Sequence, residues 1–309
     1  MLVASRHLAS ALAAAHRHGL AAAAAGGHGS SPPGWGAWSL EAIPAIVLIV
    51  FSALYIDAYR RARRRSERVG AGHWLPYFAG ILLVALALFS PIEPIGDRYL
   101  LSAHMLQHVL LSDVAPALLL LGLRSPLLPL GLPRPLLRVV APGGRLGRPL
   151  AVLTSPWVAL PLWMAATIGW AVPAAFDFAA THQLVHDMEH LTLFYTGLGL
   201  WWVVVDPLPR GSVRPNGIRL AILGASRLAT ATVCLPLTFL TRVEYPLYAS
   251  APRAYGISAL GDQSLAGASM CFVEILVFGI AFAAVFLSVL GRSESADALG
   301  EVAAASGRG

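Results

Sequence analysis

Apolar residues run along this chain in long blocks separated by short polar stretches. Blocks of about 20 residues match the length a helix needs to cross the hydrocarbon core of a bilayer. They predict seven spans, at 38–58, 74–92, 100–122, 153–173, 184–205, 218–240 and 265–290. The expected fold is therefore all-α, a polytopic membrane helix bundle of about seven transmembrane helices. Around it, residues 1–36 read as a flexible Ala- and Gly-rich outer tail with His7, His16, His18 and His28. Residues 37–291 form the membrane domain, and 292–309 read as a disordered cytoplasmic tail.

Composition supports lipid as the main solvent. Charged residues make up 12 % of the chain and hydrophobic ones 57 %, against roughly a quarter charged in soluble domains. Mean hydropathy is +0.67. All 22 basic residues are arginine. A pI near 9.8 would suit a nucleic-acid binder, but the arginines sit in short loops between apolar blocks, so nucleic acid is not an expected partner.

Arginine placement sets the orientation, because basic loops stay on the cytoplasmic side. The loop after span 1 holds six arginines between Arg60 and Arg68. The loop after span 3 holds Arg124, Arg134, Arg138, Arg145 and Arg148, and Arg210, Arg214 and Arg219 follow span 5. The alternate loops hold only Arg98, Arg242 and Arg253. This bias places the N-terminus outside and the C-terminus inside. The Pro-, Gly- and Arg-rich loop after span 3 is expected to lie on the inner membrane surface, its prolines limiting regular helix.

Histidine is costly at membrane depth and there usually faces a cavity or a partner. Span 3 opens with YLLSAHMLQHVLL, which puts His104 and His108 four residues apart. On a helix they share one face, about 6 Å apart. Span 5 opens with THQLVHDMEHLTLF, with His182, His186 and His190 again at intervals of four. Over eight residues the helix turns by roughly 80°, so His182 and His190 diverge. By the arginine topology all five fall at the outer end of the bundle. Imidazole pairs on facing helices are a recurrent way to build a metal site in a bundle. Neighbouring Met105 and Met188 would favour copper(I), and Asp187 and Glu189 would favour harder ions or orient an imidazole. Copper is the leading ligand, with zinc or haem as alternatives.

Other polar groups at membrane depth need partners. Asp113 and Arg227 fall at similar depth and are expected to form a structural ion pair, with Glu274 competing for Arg227. Cys234 and Cys271 lie inside apolar blocks without CxxC or zinc spacing. They are expected as small buried apolar side chains, and Met270 and Cys271 as packing residues, with an inner metal relay as the alternative.

Three segments resemble the seven-span CtaG-type cytochrome c oxidase assembly factors. They are HMLQH with the following apolar run through Pro116, the stretch from Trp170 to His190 with its FD, HxxxH and EH elements, and GDQSLAGASM from Gly261 to Met270. The resemblance covers roughly residues 40–290 in the same order. It implies a non-enzymatic protein of the bacterial cytoplasmic (inner) membrane that matures a haem–copper oxidase by handling copper. Its implied partners are an oxidase subunit, other copper chaperones and membrane lipid. It carries interest to the five histidines and adds Asp262, Gln263 and Met270. Competing readings are a histidine-ligated haem or metal redox protein, and a copper transporter. Hydrolysis has no HExxH-type motif to support it.

Overall fold

A computed structural model describes residues 33–34, 36–141, 143–208 and 214–306. Residues 1–32 of the expected outer tail, with His7, His16, His18 and His28, lie outside the described residues, as does Arg210. Among the described residues the chain is helical throughout, with no strand. In chain order the helices are α1 (Ala42–Arg64), α2 (Ala71–Phe89), α3 (Ile92–Arg98) and α4 (Leu101–Val109), followed by a π-helical turn (Leu110–Val114) and α5 (Ala115–Gly122). Next come α6 (Leu127–Gly131), α7 (Arg134–Val140), α8 (Gly147–Leu153), α9 (Pro156–Trp170) and α10 (Pro173–Thr181). The chain ends with α11 (Gln183–Val205), α12 (Asn216–Phe239), α13 (Pro246–Ser250) and α14 (Ala259–Ser306).

Among the described residues, five helices are long and apolar enough to cross a membrane: α1, α2, the continuous unit Leu101–Gly122, α12 and Ala259–Gly291 of α14. A sixth arises if α8 and α9, bent by 63° across Thr154–Ser155, count as one. Pro156 explains the bend, since the residue before a proline is driven into extended backbone and Ser155 has ψ 147°. The helix α11 is as long as α1, 23 residues. Gln183, His186, Asp187, Glu189 and His190 in its first turns lower its hydropathy. The described residues thus form an all-helical protein with five to six helices long and apolar enough to span a membrane.

Three boundaries differ from expectation. Span 3 is interrupted by the π turn. Pro116 has no N–H to offer the Ser112 carbonyl four residues back, and its ring would clash there. A wider turn accommodates the ring, as π-bulges do inside α-helices. The inner loop after span 3, expected to be mostly irregular, holds the short helices α6 and α7, each opening next to a proline. Residues from 292 were expected to be disordered, but the α14 backbone continues as helix to Ser306.

Three apolar clusters join the helices. One is centred on Trp163, Trp201 and Phe278 from α9, α11 and α14. A second gathers Tyr55, Tyr77 and Leu119 from α1, α2 and α5. A third packs Leu101, Met105, Phe176, Tyr245, Tyr248 and Met270 around the start of α4. The close approach of α11 to the π turn requires Gly197, where a Cβ would lie 2.0 Å from the Ser112 carbonyl oxygen. Small residues at such crossings are how membrane helices pack tightly. Arg61, Arg65 and Arg134 line a cavity of about 590 Å³ where α1 ends against the α6–α7 loop. At the other end of α1, the Ser39 amide donates to the Phe89 carbonyl at the close of α2, 3.0 Å away.

Two helix pairs are tied by polar groups. Asp262 on α14 accepts the Leu101 and Ser102 amides at 2.7 and 3.1 Å, and the Ser102 hydroxyl at 2.6 Å. No side chain of the α4 N-cap residue itself caps the helix, so Asp262 serves from another helix, where negative charge also suits the helix N-terminus. Beside it, Gln263 accepts the Glu244 amide at 2.7 Å and donates to the Arg242 carbonyl at 3.0 Å. Between α12 and α14, Arg227 pairs with Glu274 at 3.4 Å. The expected Asp113–Arg227 pair is therefore corrected in favour of Glu274. Equal depth does not fix azimuth, and Asp113 sits in the π turn, where it accepts the Ser112 hydroxyl at 2.8 Å.

Cys234 and Cys271 also require correction. Their sulfurs are bonded to each other, with Cα atoms 5.6 Å apart, stapling α12 to α14. A separation of 37 residues concealed the contact because the two helices run back alongside each other.

Two outcomes follow from these ties. Arg227→Met leaves Glu274 buried and unpaired, and should destabilise the detergent-purified protein by roughly 3 kcal/mol. Adding Glu274→Gln should restore most of the thermal stability, whereas recovery through Asp113→Asn would reinstate Asp113 as the partner. Asp262→Ala removes the cap of α4 and should lower stability by about 1–2 kcal/mol, read from thermal unfolding against wild type.

Candidate metal centre

The Asp262 cap fixes the first turn of α4, and with it the direction of His104 and His108. These histidines face His186 and His190 on α11. All four are buried, with 0 %, 8 %, 3 % and 8 % exposure respectively. Ring centroids lie 4.5 Å apart for His104–His108, 4.2 Å for His186–His190, 5.2 Å for His104–His186 and 5.4 Å for His108–His190. Phe176 of α10 packs against His104 at 4.8 Å and walls the cluster on one side.

One contact sets a tautomer. The Tyr248 hydroxyl donates to the Gly96 carbonyl at 2.6 Å and meets His104 Nδ1 at 3.0 Å. Its single proton is spent on Gly96, so His104 Nδ1 carries the hydrogen and donates to the Tyr248 oxygen. His104 Nε2 is then the unprotonated nitrogen, able to accept a hydrogen bond or to ligate a metal. It points at His108 Nε2, 3.0 Å away. Burial holds the Tyr248 phenol well above its ordinary pKa, so it remains a neutral donor. Gly96 makes this possible: a Cβ there would lie 3.0 Å from the His104 backbone.

Several donor atoms beside His104 lack a hydrogen bond. They are His186 Nε2, His190 Nε2 and both carboxylate oxygens of Glu189. Glu189 Oε1 lies 3.7 Å from His108 Nε2, and Asp97 Oδ1 lies 3.5 Å from His186 Nε2. Both separations exceed an ordinary hydrogen bond. Buried polar atoms are normally satisfied, so this concentration of unsatisfied donors matches what a metal ion would complete. Ligand atoms of His104, His186 and His190 fall within 4.8 Å of one another, as do those of His104, His108 and Glu189. A third group, Glu93, Asp97 and His186, meets the same limit at the mouth. Imidazole with carboxylate suits copper, zinc or iron.

At that mouth, burial and then the Asp97 charge push the Glu93 carboxyl up to about 9, while a hydrogen bond from Gln107 opposes the shift. Burial also raises Asp97, against the pull of His186 and Arg98. Gln107 donates to Glu93 and to the Ala87 carbonyl, the latter at 2.9 Å.

The five sequence-selected histidines therefore divide. His104, His108, His186 and His190 converge. His182 does not: it is exposed at the start of α11, with Nδ1 2.9 Å from the Phe178 carbonyl and its ring on Phe178. His182 is the N-cap of α11, in extended backbone (φ −131°, ψ 100°), and so stands outside the helical repeat that aligns His186 with His190. Met188 is half exposed, and Asp187 accepts the Gln183 side-chain amide at 2.9 Å. Neither joins the cluster. Asp262 and Gln263 act as ties to the backbone rather than as members of the donor group. Met105 and Met270 are buried and line a small cavity with His108.

Three participants went unnoticed in the sequence. Glu93 and Asp97 stand four apart just before the HMLQH segment, a spacing that puts two carboxyls on one helix face. Tyr248 carries no local signal, since only tertiary packing brings α13 to His104.

Comparison with known protein families matches residues 53–292 to the cytochrome c oxidase caa3 assembly factor family (Caa3_CtaG). No curated protein and no solved structure gave a match. The matched region runs from within α1 to the end of the apolar part of α14 and contains every histidine of the cluster. With its helical fold and the order of its segments, this chain belongs to the cytochrome c oxidase caa3 assembly factor family.

Proposed function

We propose that this protein handles copper during assembly of a haem–copper oxidase, taking the ion as cargo rather than as a resident cofactor. The carrying observation is the group of four buried imidazoles on α4 and α11 beside the unsatisfied Glu189 carboxylate. In this reading His104, His108, His186 and His190 hold the ion and pass it to an oxidase subunit. Tyr248 keeps His104 Nε2 unprotonated, and Glu93 and Asp97 offer carboxyl oxygens to the ion at the mouth. Other copper chaperones are the natural source of cargo. No covalent step is required, so the role is non-enzymatic.

Haem is disfavoured by space. The cavity beside His108 is about 20 Å³, and the 3.0 Å contact between the Nε2 atoms of His104 and His108 leaves no slot for a macrocycle. Zinc fits the same donors, and metal analysis separates it from copper.

The proposed setting is the bacterial cytoplasmic membrane, with α11 and the bent α8–α9 unit completing seven spans. The N-terminus then lies outside and the C-terminus inside. The arginine-lined cavity sits at the end of α1 away from the histidine end, as that orientation requires.

Purified protein should contain copper at about one ion per chain by elemental analysis. Alanine at His104, His108, His186 or His190 should lower oxidase activity and oxidase copper content while membrane insertion is retained. A deletion strain with full oxidase activity and copper content would remove the reading. For the orientation, a reporter active only in the cytoplasm should be active when fused after Gly309; activity only of a periplasmic reporter there would reverse it.

A further inference from the structure

Beneath the histidines lies a small cavity of about 20 Å³, roughly the space one water or one ion occupies. Its walls include Met105 and His108 from α4, and Met270 and Glu274 from α14. Each helix thus contributes a pair at i, i+3 or i, i+4, the spacings that share a face. Met105 and Met270 are 2 % and 5 % exposed. The chain has only five methionines, yet two of them meet here beside a histidine. Asp113 and Thr167 also line the space, each with a buried oxygen that has no hydrogen-bond partner.

We propose that this cavity is a second, inner copper site, selective for copper(I), with the Met105 and Met270 thioethers and the His108 imidazole as ligands. This rests on the copper reading of the histidine cluster and deepens it. Thioether is a soft, neutral donor that selects copper(I), whereas carboxylate-bearing imidazole sites also admit harder divalent ions. A monovalent cation inside a bilayer needs compensating charge close by. Asp113, with its unpartnered Oδ1, supplies it by releasing its proton as the ion enters, without giving up another ion pair, whereas Glu274 is engaged with Arg227. His108 belongs to both groups, because it touches His104 above and lines the cavity below. An ion can therefore move from the mixed imidazole–carboxylate site to the thioether site through exchange on one shared ligand, which discriminates copper(I) from zinc at the inner step.

The test uses full-length protein purified in detergent, loaded anaerobically with copper(I) alone. X-ray absorption at the copper edge should show sulfur neighbours in wild type. They should disappear in Met105→Leu/Met270→Leu, a change of similar volume that cores tolerate. Affinity for copper(I), read by competition with a chromophoric chelator, should fall about 10–100-fold. In Cys234→Ser/Cys271→Ser the sulfur signal should persist, which separates thioether from thiolate. Selenomethionine-labelled wild type, which needs no variant to fold, should show copper at the selenium edge. Copper bound with nitrogen and oxygen neighbours only would overturn the inner site and leave the histidine reading intact. A sulfur signal surviving in the methionine variant would also overturn it. Wild type that binds no copper at all would remove both.

Discussion

A bilayer offers no hydrogen bonds, so each polar group within it must find its partner in the protein. In this chain that demand is met most directly by Asp262, whose carboxylate receives two backbone amides and a hydroxyl at the start of α4. That one side chain docks α14 onto α4, ends the need for water at a helix terminus, and fixes the rotation of α4. The positions of His104 and His108 depend on it. The Arg227–Glu274 pair and the Cys234–Cys271 bond then hold α12 against α14.

Against that frame, the histidine group stands out because its polar atoms are not all satisfied. Tyr248 and Gly96 lock His104 with its Nε2 lone pair inward. Glu189, His186 and His190 bring further atoms without partners. The proline-driven π turn continues the polar strip inward through Ser112 and Asp113, toward the cavity shared by Met105 and Met270.

Much of the site was legible before any coordinates. The i, i+4 spacing placed His104 with His108, and His186 with His190, because a helix repeats every 3.6 residues. His182 precedes the helix in extended backbone and is exposed against Phe178. Glu93 and Asp97 were readable by the same spacing and were missed because they precede the apolar block rather than interrupt it.

The linear chain by itself determined which segments are apolar over membrane-spanning lengths, since length and apolarity are local properties. It also determined which residues share a helix face, since period is local too. Azimuth between helices is not local, and only tertiary structure decided it. Depth alone paired Arg227 with Asp113, but packing turned it to Glu274. Two cysteines 37 residues apart became a covalent tie, and Tyr248 reached His104 across 144 residues of chain. Asp262 and Gln263, which looked like candidates for the site, proved to be ties that hold it. Each of these outcomes depends on how one helix is rotated against another, which is set by close contacts such as Gly197 on Ser112 and not by the sequence of either helix alone.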